Sequence, residues 1–362
     1  MSLAVVRSMG SARQLRTPAE LEDFEQEIVD QFALAMLAAG LTDSHVANER
    51  SAVIEFIRFL GRPVWSASCD DADRFLTSLR HDRNLARSTV ESKSGAIARF
   101  FDFMITRYQG DLHSLTGVVV EQPIDEFNRP TGVWAGAVRV PPPNAEIELL
   151  FRAWGEALPD TRKYLPAARD YFAASLWRRV GLRIGETTLL DMRDWRPDLG
   201  EHGKLHVRFG KGSRGRGPKT RLVPAINGAD ELMTWWLTDI RHQFGDDWAD
   251  PDAPLLPSER RDADTGRPCR AGSDALRSGL SEAVDRFLPT WTGRLTPHVL
   301  RHYCASSLYE RGVALKAVQE LLGHEWLQTT TIYVHVHHNH IEKAWAVAND
   351  RVADRLGARN EG

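Results

Sequence analysis

The chain predicts a mainly helical protein with a small antiparallel β-sheet, in which an N-terminal all-helical domain precedes a larger mixed α+β domain. Three observations carry that expectation. Apolar residues recur three and four apart through most of the chain. One short stretch, Leu205, Val207 and Phe209, alternates with polar residues; after a glycine-rich basic turn come Leu222 and Val223, which together read as a β-hairpin with a long tip. Between the two helical regions, glycines, prolines and short apolar runs end in VPPPN, a linker composition. The expected divisions are a tail at 1–16, a helical domain at 17–110, a linker at 111–143, a second domain at 144–357 and a tail at 358–362.

The first helix opens at Thr17-Pro18-Ala19-Glu20, an N-cap, a first-turn proline and a capping-box glutamate, and Gly40 stops it. A second follows Thr42, with Val46, Val53, Phe56, Ile57 and Leu60 on one face before Gly61 and Pro63. A third covers Asp70 to Leu79, and a fourth runs from Ser88 to Tyr108 with Val90, Ile97, Phe100, Phe101, Met104 and Ile105 inward. After Asn144, read as an N-cap, helices are expected at 145–157 and 165–180, then the hairpin, then helices at 229–242, 273–287, 297–311, 314–322 and 340–357.

Only seven of the 46 basic residues are lysines. An arginine-weighted set suits holding phosphate or carboxylate, although a GC-rich genome gives the same bias. The formal net charge of −3 argues against a nucleic-acid binder, but the average hides a segregation. Residues 201–224 hold seven basic side chains and one acidic, while 228–252 hold seven acidic and one basic. The basic stretch is expected to face an anion and the acidic one to stay in solvent. Cys69, Cys269 and Cys304 show neither disulfide nor metal spacing. The start has no apolar leader and no uncharged run is long enough for a bilayer, so a cytoplasmic, unanchored protein is expected.

Four clusters in the second domain can carry chemistry. In GLRIGETTLL, Arg183 and Glu186 are three apart on one helical face, a spacing that a surface ion pair would share. Lys211 at the hairpin tip is flanked by glycines but lacks a phosphate-loop consensus, so a solvated turn also fits. In TPHVLRHYCAS, Thr296 caps, Pro297 takes the first helical position, and His298 and Arg301 lie one turn apart. His298 and His302 have a spacing that a metal would accept, but HExxH and a third ligand are missing, and His335, His337, His338 and His340 read as solvated; no metal or cofactor is expected. The fourth cluster is Gly323 and His324, followed by Tyr333.

Together these residues suit a phosphodiester. Two guanidiniums can hold both non-bridging oxygens and offset the charge of a pentavalent transition state. A tyrosine can attack as nucleophile and keep the energy of the broken bond in a phosphotyrosine, while a lysine protonates the leaving 5′ oxygen.

The order GLRIGE, GKG, PHVLRH, LLGH and TTTIY resembles the tyrosine recombinase, or phage integrase, family. Residues from about Asn144 to Leu356 look like its catalytic domain, and Thr17 to Tyr108 like its helical, SAM-like core-binding domain. The resemblance implies that Arg183, Lys211, His298, Arg301 and His324 are catalytic, that Glu186 supports Arg183, and that Tyr333 is the nucleophile. It further implies strand cleavage without metal or ATP, a 3′-phosphotyrosyl enzyme, a free 5′-hydroxyl and a Holliday junction. The partner would be double-stranded DNA, with a synaptic tetramer and accessory recombination factors.

The tip GSRGRGPKT is longer and richer in glycine than the compact turn of the family, so Lys219 competes with Lys211 as general acid. Lys211 is favoured because it directly ends a strand. Lys93, Ser94, Arg214, Arg216, Lys219 and Arg221 are candidate DNA contacts. Ile341, Trp345, Ala348, Val352 and Leu356 form an apolar stripe that could pack on its own domain; the family's habit implies docking on a neighbouring subunit. Residues 1–16 are too short for an arm-binding domain, and GKGSRGRGPKTR and YVHVHHNHIEKAW are similar to integrases of actinobacterial mobile elements. Two rival functions fit the same residues: a type IB topoisomerase, which would relax supercoils without a specific site, and a non-catalytic DNA-binding relative, in which Tyr333→Phe would change nothing.

Overall fold

The computed structural model describes residues 17–130, 140–210 and 219–323, and these form two compact units, one on each side of residues 131–139. In the first unit, α1 (Pro18–Ala38), α2 (Asp43–Leu60), α3 (Cys69–His81) and α4 (Arg87–Arg107) enclose one apolar core. The Thr17 hydroxyl accepts from the Glu20 amide and Glu20 accepts from the Thr17 amide, so the capping box read from the sequence forms. Gly61 takes a left-handed conformation and ends α2. Phe24, Phe32, Phe56, Phe75, Phe100 and Phe101 fill the centre, with the Phe56 and Phe75 rings 5.1 Å apart and edge to face.

That core extends further along the chain than the expected boundary at 110. A fifth helix, α5 (Gln109–Thr116), follows at once, and Leu112, Val120 and Ile124 are buried with the four-helix core. Glycine and proline content conceals these anchors because they are spaced irregularly, at no helical or strand period.

The second unit contains α6 (Asn144–Ala157), α7 (Tyr164–Val180), α8 (Ile184–Thr188), β1 (Trp195–Arg196), β2 (Lys204–Gly210), β3 (Lys219–Pro224), α9 (Ala229–Trp235), β4 (Pro257–Arg261), β5 (Pro268–Arg270), α10 (Ser273–Phe287), α11 (Pro297–Glu310) and α12 (Leu315–Leu322). Helix α7 lies at its centre, burying Phe172, Leu176, Trp177 and Val180. Strands β1, β2 and β3 form an antiparallel sheet in that order. Leu205 faces Val223 and Val207 faces Arg221, so the predicted hairpin is present. Its register shifts between Val207 and Gly210, and Phe209, third in the alternating set, is exposed where Leu205 and Val207 are buried.

Asn144 is the first helical residue rather than the cap; its Oδ1 accepts from the Tyr303 hydroxyl. The helix expected over 229–242 widens into a π-turn at Trp236–Ile240, where Trp236 stacks on Phe172 with ring centroids 4.6 Å apart. The β4–β5 hairpin had no alternating signature. Its turn is closed by Asp262, whose carboxylate accepts from the amides of Asp264 and Thr265. Nor does the acidic stretch lie wholly in solvent, since Asp247 is buried against the fully buried Arg241 at 3.2 Å. Among the described residues, no helix is long and apolar enough to cross a membrane.

Candidate active site

The site is built around the start of α8. Gly181 ends α7 in a left-handed conformation, and Arg183 and Glu186 follow within one turn. Glu186 accepts from the Arg183 backbone amide at 2.9 Å and from its Nη1 at 2.6 Å. Behind them, the Trp177 indole donates to the Thr187 hydroxyl at 2.9 Å, which donates to the Arg183 carbonyl at 2.9 Å. The core tryptophan thus fixes the backbone that presents Arg183. The Arg183–Glu186 pair is not a surface ion pair, because the Glu186 side chain is only 2 % exposed.

Two further arginines converge on the same carboxylate. Arg221 on β3 donates from Nη1 to Glu186 Oε1 and from Nη2 to Oε2, both at 2.8 Å, a fork-on-fork pair. Arg301 on α11 places Nη1 3.8 Å from Glu186 Oε2 and donates to the Gly181 and Leu322 carbonyls. Burial alone would raise the Glu186 pKa; the Arg221 hydrogen bond and the charges of Arg221 and Arg183 outweigh it and bring it to about 2. Burial, reinforced by the Arg183 charge, lowers Arg301 to about 9, which leaves it protonated at neutral pH. Among the described residues, three positive charges against one negative make this centre net cationic.

Thr296 caps α11, its hydroxyl accepting from the Val299 amide at 3.4 Å, and Pro297 occupies the first turn. The helix buries Arg301, which is 3 % exposed, while His298 one turn earlier is exposed with its ring edge-on to His302, centroids 4.4 Å apart. No group of three or more metal-ligating side chains is gathered among the described residues.

The structure therefore brings Arg183, Glu186 and Arg301 together as the sequence anticipates, and adds Arg221 to them. Sequence reading assigns Arg221 to DNA contact; its guanidinium instead turns inward. The signal was period two: Arg221 shares a strand face with the buried Val223, while Leu222 between them is exposed. Lys219 begins β3 opposite Gly210 and is exposed. Lys211, Arg214, Arg216, His324, Tyr333 and the helix expected at 340–357 lie outside the described residues; Gly323, the last described, immediately precedes His324.

In the N-terminal unit, Ser94 is 1 % exposed and cannot touch DNA. It lies three residues before Ile97 and four before Ala98 on the inward face of α4. Lys93 is half-buried and paired with Glu55, which also takes Arg83.

Residues 156–340 match the model of the phage integrase family. Over 342 residues the chain is 30 % identical to a tyrosine recombinase XerC from Herpetosiphon aurantiacus, covering 92 % of this chain and 97 % of that protein. A XerC from Roseiflexus castenholzii is 26 % identical over 347 residues, 94 % of this chain and 96 % of the relative. Among solved structures, the Tn1549 transposon integrase in complex with transposon right-end DNA is similar in fold, with a TM-score of 0.61 at 18 % identity over 90 % of this chain and 99 % of that one. A lambda integrase dimer bound to a core site gives a TM-score of 0.61 at 15 % identity over 86 % and 95 %. By the family model and the XerC relative together, the chain belongs to the phage integrase family of tyrosine recombinases.

Proposed function

We propose that this site-specific recombinase holds the scissile phosphate of a DNA duplex at the Arg183–Arg301 centre and cleaves the strand with Tyr333. The observation that carries this reading is the net positive charge of the centre: among the described residues, three guanidiniums share the single carboxylate of Glu186. A phosphodiester carries one negative charge and gains another as it becomes pentavalent, so donors fixed beforehand stabilise the transition state more than the ground state. Arg183, at 27 % side-chain exposure, is the most accessible of the three.

In this mechanism the Tyr333 hydroxyl passes its proton to a neighbouring base, and its oxygen attacks phosphorus while the bond to the 5′ oxygen breaks. Lys211 gives that oxygen its proton, with Lys219 the competing donor, and His298 and His324 complete the polar ring around the phosphate. The product is a 3′-phosphotyrosine and a 5′-hydroxyl. Because the phosphotyrosine retains the bond energy, a 5′-hydroxyl from a partner duplex can displace the tyrosine and generate a Holliday junction without ATP or metal.

Double-stranded DNA is accordingly the partner, a reading supported by neighbours whose structures contain it, including XerH bound to a palindromic difH substrate at a TM-score of 0.60. The apolar stripe Ile341, Trp345, Ala348, Val352 and Leu356 supports a tetramer assembled through the helix expected from the sequence at 340–357. Recombination accessory factors would bias the direction of exchange.

The test is an SDS-resistant protein–DNA adduct on nicked duplexes drawn from the ends of the DNA element that carries the gene. Wild type should form it and Tyr333→Phe should not. A duplex that the wild-type protein binds but never captures covalently would refute strand transfer and leave a DNA-binding relative.

A further inference from the structure

Helix α12 ends on Leu321 and Leu322 with Gly323 as its C-cap, and each of the three arginines takes one of those carbonyls. Arg221 donates from Nε to Leu321 at 3.1 Å, Arg301 from Nη2 to Leu322, and Arg183 from Nη2 to Gly323 at 3.4 Å. These are carbonyls that a helix terminus leaves without an intrahelical partner, at the negative end of its dipole. The anion-binding centre and the C-terminus of α12 are therefore one hydrogen-bonded assembly, and the next residue along the chain is His324.

The three arginines are not equivalent within it. Arg221 spends one donor on Leu321 and two on the carboxylate of Glu186, and its side chain is 14 % exposed. It is the one that grips Glu186 in bidentate fashion and the end of α12 at the same time. Arg183 makes a longer contact to α12 and is twice as exposed.

The backbone is shaped to admit Arg221. Gly323 has φ of +65°, and a Cβ added there would lie 3.0 Å from Arg221 Cδ and 3.1 Å from Nε and Nη1. An alanine at 323 would be strained in the left-handed region and would press on the guanidinium stem.

We infer that Arg221 is a positioning residue for strand cleavage: by bridging Glu186 to the end of α12 it sets both the orientation of Arg183 and the place from which His324 and the chain to Tyr333 depart. This rests on the recombinase reading above. Electrostatics agrees with the geometry, since Arg221 is the strongest influence keeping the buried Glu186 ionised. Without it the Glu186 pKa rises, and a protonated Glu186 loses its charge on Arg183 as pH falls.

The experiment measures single-turnover adduct formation by the full chain on a nicked duplex between pH 5 and 9. It compares wild type, Arg221→Lys and Arg221→Gln, with duplex affinity measured in parallel. A positioning role predicts affinity within about twofold of wild type and a cleavage rate about 100-fold lower in Arg221→Gln, the scale of loss when reacting groups shift by an ångström. The acid limb of its pH profile moves upward. Arg221→Lys keeps the charge but not the fork, and recovers part of the rate with an acid limb close to that of wild type.

Unchanged cleavage and an unchanged pH profile in Arg221→Gln would overturn the inference. So would a rate loss matched by an affinity loss and a salt slope reduced by about one, which marks a direct phosphate contact. If Arg221→Gln does not fold, Gly323→Ala provides the same readouts with every charge retained. Cleavage slowed at constant affinity supports positioning, and unchanged cleavage overturns it. A wild-type protein that binds the duplex without forming an adduct sinks the recombinase reading itself, and the inference with it.

Discussion

Glu186 shows how one residue can matter in two ways. Among the described residues its carboxylate is the one negative group shared by three guanidiniums, and it is almost fully buried. Substituting Glu186→Gln leaves those cations without their counter-charge, a change that costs about 3 kcal/mol when one partner of a buried pair is removed. Urea unfolding at pH 7 measures that loss. Because the folded-state pKa is depressed to about 2 from an ordinary 4.5, the pair's contribution is complete above pH 4.5 and lost as pH falls toward 2. The stability gap between wild type and Glu186→Gln should therefore narrow at pH 3; an undiminished gap would mean that Glu186 is not held ionised in the fold.

At the scale of elements, the centre depends on three ends meeting: the end of α7, the start of α11 and the end of α12. Gly181 is the junction. With φ of +66°, a Cβ at this position would lie 2.5 Å from Leu322 Cδ2 and 3.3 Å from Cys304 Sγ. Gly181→Ala must both strain the backbone and push α12 away, for an expected loss of about 3 kcal/mol. Thermal unfolding should reveal it, and a variant as stable as wild type would show that the α7–α12 contact is slack. Removing the α11 cap is milder. Thr296→Ala loses one hydrogen bond to the Val299 amide, and about 1 kcal/mol, with Arg301 at the helix still in place. Adduct formation by that variant should persist at temperatures well below its unfolding midpoint.

For the whole molecule, each unit has its own core. A fragment spanning 140–362 contains the complete cluster around Phe172, Trp177 and Trp236 and should unfold cooperatively by itself, with tryptophan fluorescence and circular dichroism reporting one midpoint. Separate midpoints for the two probes would show that the core is not one cooperative unit. Binding by the full chain is expected to be governed by arginine contacts to phosphate despite the net charge of −3. Affinity for a duplex should fall by about 10³-fold between 50 and 200 mM salt, and a gel-shift series measures the slope. A flat salt response would contradict phosphate-driven binding.

Local signals were sufficient to identify most helices, the β2–β3 hairpin and the ordered set of motifs. Caps such as Thr17, Thr42 and Thr296 and stop signals such as Gly61 act within one turn, so they are visible in the chain itself. Motif order also sufficed to associate Arg183, Glu186 and Arg301. Other features depended on residues distant in sequence. The burial of Ser94, the extension of the first core to Ile124 and the inward turn of Arg221 each follow from which surface packs against which. The partition of the three carbonyls at the end of α12 and its cap among Arg183, Arg221 and Arg301 is of the same kind. It joins residues about 20 to 140 positions apart, and only tertiary packing brings such groups within hydrogen-bond reach.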